Sequence, residues 1–179
     1  MSYNNIYLFT KIKLLIHLIV ICLLSLFVSG CGVYSFSGAS IPDGAETISV
    51  SYIENEAELI QPNLSNNLTE SLITKCLTET NLTPKEKDAD IKFSGTIKKY
   101  TLEPISIQNN ETAAQNRLTI SLEITYINKL DGSQNFNKTF THYADFNSNE
   151  NFSEIEESLN NTIIINLIDD IFNDSLVNW

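Results

Sequence analysis

The stretch that decides the fold is Leu118-Thr119-Ile120-Ser121-Leu122-Glu123-Ile124-Thr125-Tyr126. Apolar residues occupy every even position and Thr, Ser or Glu every odd one. That period of two puts one set against a core and the other toward water, which is a strand buried on a single face. A helix cannot satisfy this pattern, because it would spread the apolar set around its whole circumference.

The pattern extends to both sides. Upstream, Ile91, Phe93 and Ile97 share one parity against Lys92, Ser94, Thr96 and Lys98, after which Tyr100 and Leu102 switch parity. A bulge near Lys98-Lys99 accounts for the switch, since one extra residue flips every side chain beyond it. Downstream, Leu130-Asp131-Gly132-Ser133 supplies a turn, and Asn135 to Phe146 returns with Phe136, Phe140, Ala144 and Phe146 on one side. Two hairpins make a meander. Further upstream, Thr47 to Ile53 alternates with Ile48, Val50 and Tyr52 inward and Ser49 and Ser51 outward, a fourth strand.

Two helices complete the order. Leu64, Leu68, Leu72 and Cys76 repeat every four residues, widened by Ile73 and Leu77, so residues 63–79 form an amphipathic helix ended by the Asn81–Asp88 segment with Pro84. At the C-terminus, Ser153-Glu154-Ile155-Glu156 reads as a capping box opening a long helix. Ile155, Leu159, Ile163, Leu167 and Ile171, flanked by Ile164, Ile168 and Phe172, line its inner face as far as Leu176. The expected fold is α+β, a two-layer sandwich in the order β-α-β-β-β-α. The first helix is the crossover between two parallel strands, the four-stranded sheet is mixed, and both helices pack on one face. The other sheet face must meet water or a polar partner.

Charge and the N-terminus set the location. The chain has 179 residues, with 22 acids against 11 bases and a net charge of −11. Such an acid excess excludes nucleic-acid binding by charge, because phosphate contacts require Lys and Arg. The first thirty residues hold no acid, only Lys11 and Lys13 followed by the apolar run Leu14–Val28. They read as a secretory signal, too short to span a bilayer. The run ends in Val28-Ser29-Gly30-Cys31, which resembles the lipobox of bacterial lipoproteins. Residues 1–30 are then a cleaved signal peptide, 31–46 a lipidated N-terminus and tether, and 47–179 the domain. Cys31 would carry diacylglycerol and an N-acyl chain such as palmitate, each CH₂ adding about 0.8 kcal/mol of membrane attachment. Gly32 is not the Asp that retains many lipoproteins at the inner membrane, so the periplasmic side of the outer membrane is the expected address. From residue 31 onward, 9 bases face 22 acids. A disulfide is excluded within the mature chain, which keeps only Cys76 besides the acylated Cys31.

Catalytic chemistry is sparse. His142 is the single mature histidine, sharing strand parity with Phe140 and Ala144, and Cys76 falls in the apolar helical stripe as a structural thiol. No phosphate loop, nucleophile elbow or paired-His metal motif occurs. The carboxylate clusters Glu54, Glu56, Glu58 and Glu154, Glu156, Glu157 read as solvated faces. Asp174-Ser175-Leu176 resembles an O-glycosylation signal but lies inside the last helix. The expectation is a non-enzymatic protein with no metal and no cofactor beyond the lipid on Cys31.

The element order after a lipobox is similar to that of the lipopolysaccharide-assembly lipoprotein family, LptE. Pro62-Asn63-Leu64-Ser65, Gln108-Asn109-Asn110-Glu111-Thr112-Ala113-Ala114-Gln115-Asn116-Arg117-Leu118-Thr119-Ile120, Tyr143-Ala144-Asp145-Phe146 and the ending Asp170-Ile171-Phe172-Asn173 to Val177-Asn178-Trp179 resemble the Bacteroidetes branch of that family. The resemblance implies a plug inside the lumen of the outer-membrane β-barrel LptD, assisting barrel assembly and lipopolysaccharide transport to the outer leaflet. It also implies lipopolysaccharide binding through basic residues near one end of the domain, with Arg117, Lys98 and Lys99 as candidates brought together by the hairpin. Ile105, Gln108, Asn109, Asn110 and Gln115, in or beside the intervening loop, are candidate contacts to the barrel. A second reading, from another class, is a periplasm-facing lipid carrier, or a pilot or scaffold for a different envelope complex. A carrier needs an internal apolar cavity, whereas a plug needs a filled core and a broad polar surface.

Overall fold

The structure is a computed structural model that describes residues 12, 13, 15–17, 41–105 and 114–177. Cys31, Gln108, Asn109, Asn110 and the terminal Asn178-Trp179 lie outside the described residues. Residues 12, 13 and 15–17 are helical and belong to a separate unit, Met1–Phe36.

In the second unit the order is β1 (Thr47–Val50), β2 (Glu54–Asn55), α1 (Leu64–Glu79), β3 (Thr83–Pro84), β4 (Ile91–Ile105), β5 (Gln115–Asn128), a 3₁₀ turn (Gly132–Gln134), β6 (Phe136–Asn147) and α2 (Phe152–Leu176). β1 runs parallel to β4 through the crossover helix α1, while β4, β5 and β6 form the antiparallel meander. The α+β sandwich is as the sequence implies, but the sheet has six strands rather than four.

Both extra strands have identifiable causes. β3 is a two-residue parallel edge beside β1, with Thr47 opposite Thr83 and Ile48 opposite Pro84. It is too short to carry any periodicity. β2 arises because the first strand breaks after Val50: Tyr52 is exposed, not inward, and Ile53 takes the core position instead. The Ile53 N–H leaves the ladder and donates to Thr69 Oγ1 of α1 at 3.0 Å. The chain then rejoins β4 with Glu54 opposite Thr96.

Other elements follow from the residues. Leu64, Leu68, Leu72 and Cys76 are fully buried along α1, and each leucine contributes about 1.5–3 kcal/mol by leaving water. They meet Ile91, Phe93, Ile97, Tyr100 and Leu118, Ile120, Leu122, Ile124, Tyr126 from the sheet, and Ile163, Leu167 and Ile171 from α2. The bulge sits between Ile97 and Lys99, so Ile97 and Tyr100 both point inward although three residues apart. α2 begins two residues earlier than a Ser153 cap allows. Asn151 is the N-cap: its side-chain oxygen accepts from the Ser153 N–H, and its amide donates to the Glu154 carboxylate at 3.0 Å. The Ser-based capping box therefore does not form, because Asn151 performs the same reciprocal satisfaction two residues upstream.

The two ends of the sheet differ. At one, the chain enters: Ile41 and Ala45 pack partly buried on the core, and Asp90 Oδ2 accepts from the Glu46 N–H, the Thr47 N–H and the Thr47 hydroxyl at 3.2, 3.0 and 2.6 Å. The Thr47 hydroxyl above all holds the Asp90 carboxyl below its ordinary range. At the other end β4 and β5 close their ladder at Ile105 opposite Gln115.

Candidate functional site

Because every apolar strand residue of one parity is committed to the helices, the opposite parity forms an uncovered polar face. Its rows are read from the register: Ser94, Thr125 and Asn137; Thr96, Glu123 and Thr139; Lys99, Ser121 and Thr141; Thr101, Thr119 and Tyr143; Glu103, Arg117 and Asp145. Within it Ser121 and Thr141 hydroxyls share a hydrogen bond of 2.9 Å.

Arg117 anchors the last row. Its Nε and Nη2 donate to Asp145 Oδ1 and Oδ2 at 2.7 and 2.8 Å, a bidentate fork across β5 and β6. Its guanidinium carbon lies 3.6 Å from the centre of the Tyr143 ring, so the plane stacks on an aromatic. The carboxylate of Asp145, chiefly through that hydrogen bond, raises the guanidinium pKa above its ordinary value. Two of five N–H groups are used, leaving three for a further anion. Asp145 was not singled out by the sequence; its position within Tyr143-Ala144-Asp145-Phe146, on the open-face parity, was the available signal.

The lysines are placed elsewhere. Lys98 is the bulged residue, ion-paired to Glu56 at 2.6 Å, and this bond raises its pKa. Lys99 stands opposite Ser121 and 3.7 Å from Glu103. Lys98 is thus turned to Glu56, whereas Lys99, whose backbone stands four residues or about 13 Å at strand rise from the Arg117 row, reaches with its ammonium to Glu103 in that row. Ile105 and Gln115 pair with one another at the base of the hairpin.

His142 lies at the margin of the core, its Nε2 2.7 Å from Asp170 of α2. Cys76 is buried and its thiol is pushed up to about 12 by desolvation, which leaves it inert. Among the described residues no group of three His, Cys, Asp or Glu is arranged for a metal ion, and no helix is long and apolar enough to cross a membrane. A groove of about 630 Å³ between α1 and α2 is open to solvent and lined by polar side chains such as Asn67, Ser71 and Thr74 along with Ile165.

The family model for LptE, described as lipopolysaccharide-assembly, matches residues 45–175, nearly the whole sandwich. The chain belongs to the LptE family. Membership makes it a non-enzymatic, envelope-associated lipopolysaccharide-assembly lipoprotein that uses no cofactor. No curated protein matches the sequence. Among solved structures, the protein XCC0632 from Xanthomonas campestris superposes with a TM-score of 0.50 at 8% identity, covering 78% of this chain and 90% of that one. Lipoprotein B from Nitrosomonas europaea gives 0.49 at 12% identity, covering 80% and 88%. A minor lipoprotein from Acinetobacter baumannii gives 0.47 at 13%, covering 72% and 91%. At such identities the likeness to the Xanthomonas protein concerns the fold alone.

Proposed function

We propose that this LptE-family protein is the lumenal plug and assembly partner of an LptD-like outer-membrane β-barrel, tethered to the periplasmic side of that membrane by acyl chains on Cys31. The observation that carries the reading is the one-sided sheet. Its apolar parity is filled by two helices, and its other face offers Thr, Ser, Asn and a few paired charges across three long strands. A barrel interior is polar, so a face dominated by Thr, Ser and Asn, with Ile127 and Tyr143 as its exposed large apolar side chains on β5 and β6, suits it. The filled space between the layers weighs against the carrier reading, which requires an apolar cavity.

Within this reading Arg117 contacts a phosphate or carboxylate of the glycolipid, and the hairpin based at Ile105 and Gln115, with Gln108, Asn109 and Asn110, meets the barrel. Tyr143 holds the Arg117 fork flat and its three unused donors remain available. The lysines act separately, each beside its own carboxylate. Affinity purification of tagged full-length protein from solubilised outer membranes tests the proposal. Recovery of a large LptD-like barrel in stoichiometric amount is expected, and its absence would overturn it.

A further inference from the structure

The two edges of the sheet are built differently. On the β3 side the edge is two residues long and includes Pro84, which has no N–H to offer. Short strands and prolines are how native sheets refuse further pairing. On the other side β6 runs twelve residues, Phe136–Asn147, in continuous register with β5 and without a bulge or proline.

The backbone polarity of that edge can be worked out. The Ser148 N–H donates to the Ala114 carbonyl, and the Lys129 N–H donates to the Asp90 carbonyl on the opposite flank of β5. Alternation from either point assigns the even-numbered residues of β6 to the ladder with β5. Asn137, Thr139, Thr141, Tyr143 and Asp145 therefore turn their N–H and C=O groups outward. Only at the end of the strand are groups closed off: the Asn147 N–H donates to the Glu150 carboxylate at 2.9 Å and the Asn147 carbonyl accepts from the Glu150 N–H at 3.0 Å. Among the described residues nothing else bonds to this edge.

Charged residues directed to the helix side often guard such edges, and β6 has one, Lys138. It is matched by Asp174 of α2, so it is not left to repel an incoming strand. Around the edge the four acids Asp145, Glu150, Asp170 and Asp174 outnumber the two bases Arg117 and Lys138. The chain from residue 31 onward carries more than twice as many acids as bases, and that repulsion opposes edge-to-edge pairing of two copies.

We propose that β6 is a strand-addition site for an extended, basic, β-branched segment of a partner protein. The segment would hydrogen-bond to Asn137, Thr139, Thr141, Tyr143 and Asp145 and place a Lys or Arg side chain toward Asp170, which has no Lys or Arg partner among the described residues. The proposal stands apart from the plug reading and is tested with no barrel present.

The probe is a nine-residue Val/Thr peptide with two lysines, together with a twin N-methylated at alternate residues along one edge. Full-length protein in detergent micelles is followed by site-resolved hydrogen exchange and peptide anisotropy. Saturating peptide should slow exchange at Thr139, Thr141 and Tyr143 by about tenfold or more while the even-numbered amides, already bonded to β5, stay unchanged. Thr139→Pro deletes an outward N–H of an exposed residue and spares the β5 ladder; it should weaken binding about tenfold at unchanged Tm. Should that variant not fold, comparison of the two peptides on the wild-type chain decides. Absence of protection, equal binding of the methylated twin, equal binding of an acidic analogue, or a dimer of this chain built on the same amides would each overturn the proposal.

Discussion

Asp145→Asn should strengthen anion binding at Arg117. The carboxylate occupies Nε and Nη2 of the guanidinium at 2.7 and 2.8 Å, and Glu103 stands opposite on the neighbouring strand. Any phosphate approaching Arg117 thus meets Asp145 on one side and Glu103, itself 3.7 Å from the Lys99 ammonium, on the other. Asparagine keeps the shape and one acceptor but removes one acid, leaving the row neutral overall. The side chains of both partners are about one-third exposed, so solvent screens the pair and its removal has a modest effect, a roughly two- to fivefold gain in lipopolysaccharide affinity at low salt. The gain should vanish near 0.5 M salt, where the Debye length falls to about 4 Å. Displacement of a fluorescent lipid A analogue from full-length protein measures it, with Arg117→Ala as the opposing variant. If Asp145→Asn weakens binding as much as Arg117→Ala does, Asp145 positions the fork for the ligand and does not compete with it. If neither variant alters binding, Arg117 has no role in glycolipid recognition.

Three other substitutions test the remaining readings. Tyr126 is buried against Phe93 and Phe136 with centroids 5.1 and 5.3 Å away, and among the described residues its hydroxyl has no partner. Tyr126→Phe should therefore stabilise the domain by about 1 kcal/mol in urea unfolding, and a loss of stability would show that the hydroxyl is bonded. Burial pushes the Tyr126 phenol up to about 12. The folded state therefore holds a proton that the unfolded chain releases above pH 10, and stability falls as pH rises from 10 to 12. The Phe variant should lose less over that window. Gly95→Ala would put a Cβ 2.6 Å from Ile124 Cδ1 and 3.1 Å from the Glu123 carbonyl oxygen. The isoleucine can turn but the carbonyl cannot, so a loss of about 1–3 kcal/mol is expected, and an unchanged urea midpoint would contradict the close approach of β4 and β5. Cys31→Ala should move the protein from the membrane fraction to the soluble fraction on cell fractionation, and full retention in the membrane would reject the acyl anchor.

Much of the architecture was legible because one rule, period two or period four, governs long elements. Leu118 to Tyr126 and Leu64 to Cys76 declare their faces residue by residue, and the parity switch from Ile97 to Tyr100 placed the bulge. What escaped notice was too short or too distant to leave a period. Thr83-Pro84 has two residues, and Ile53 replaces Tyr52 in the core only because Thr69, sixteen positions later, accepts its N–H. The Asn151 cap was hidden by a nearby Ser-x-x-Glu-like match that looks equally good on paper. At the site, the parity of Arg117 was readable, but its partner Asp145 lies 28 residues away on another strand. The same distance problem hid that Lys98 turns to Glu56 while Lys99 reaches Glu103 in the row of Arg117, since the bulge and the register decide their placement.

The separation of the chain's entry point from the hairpin base makes the domain a yardstick. From Ile91, beside the entry at Thr47, to Glu103, opposite Arg117, the unbulged partner β5 takes eleven steps, Asn128 to Arg117, of about 3.3 Å, some 36 Å. That is longer than the roughly 30 Å hydrocarbon thickness of a bilayer. A protein held at the Thr47 end can hold Arg117 a full membrane's depth away, so what the rigid β4–β5 ribbon transmits between its ends is height.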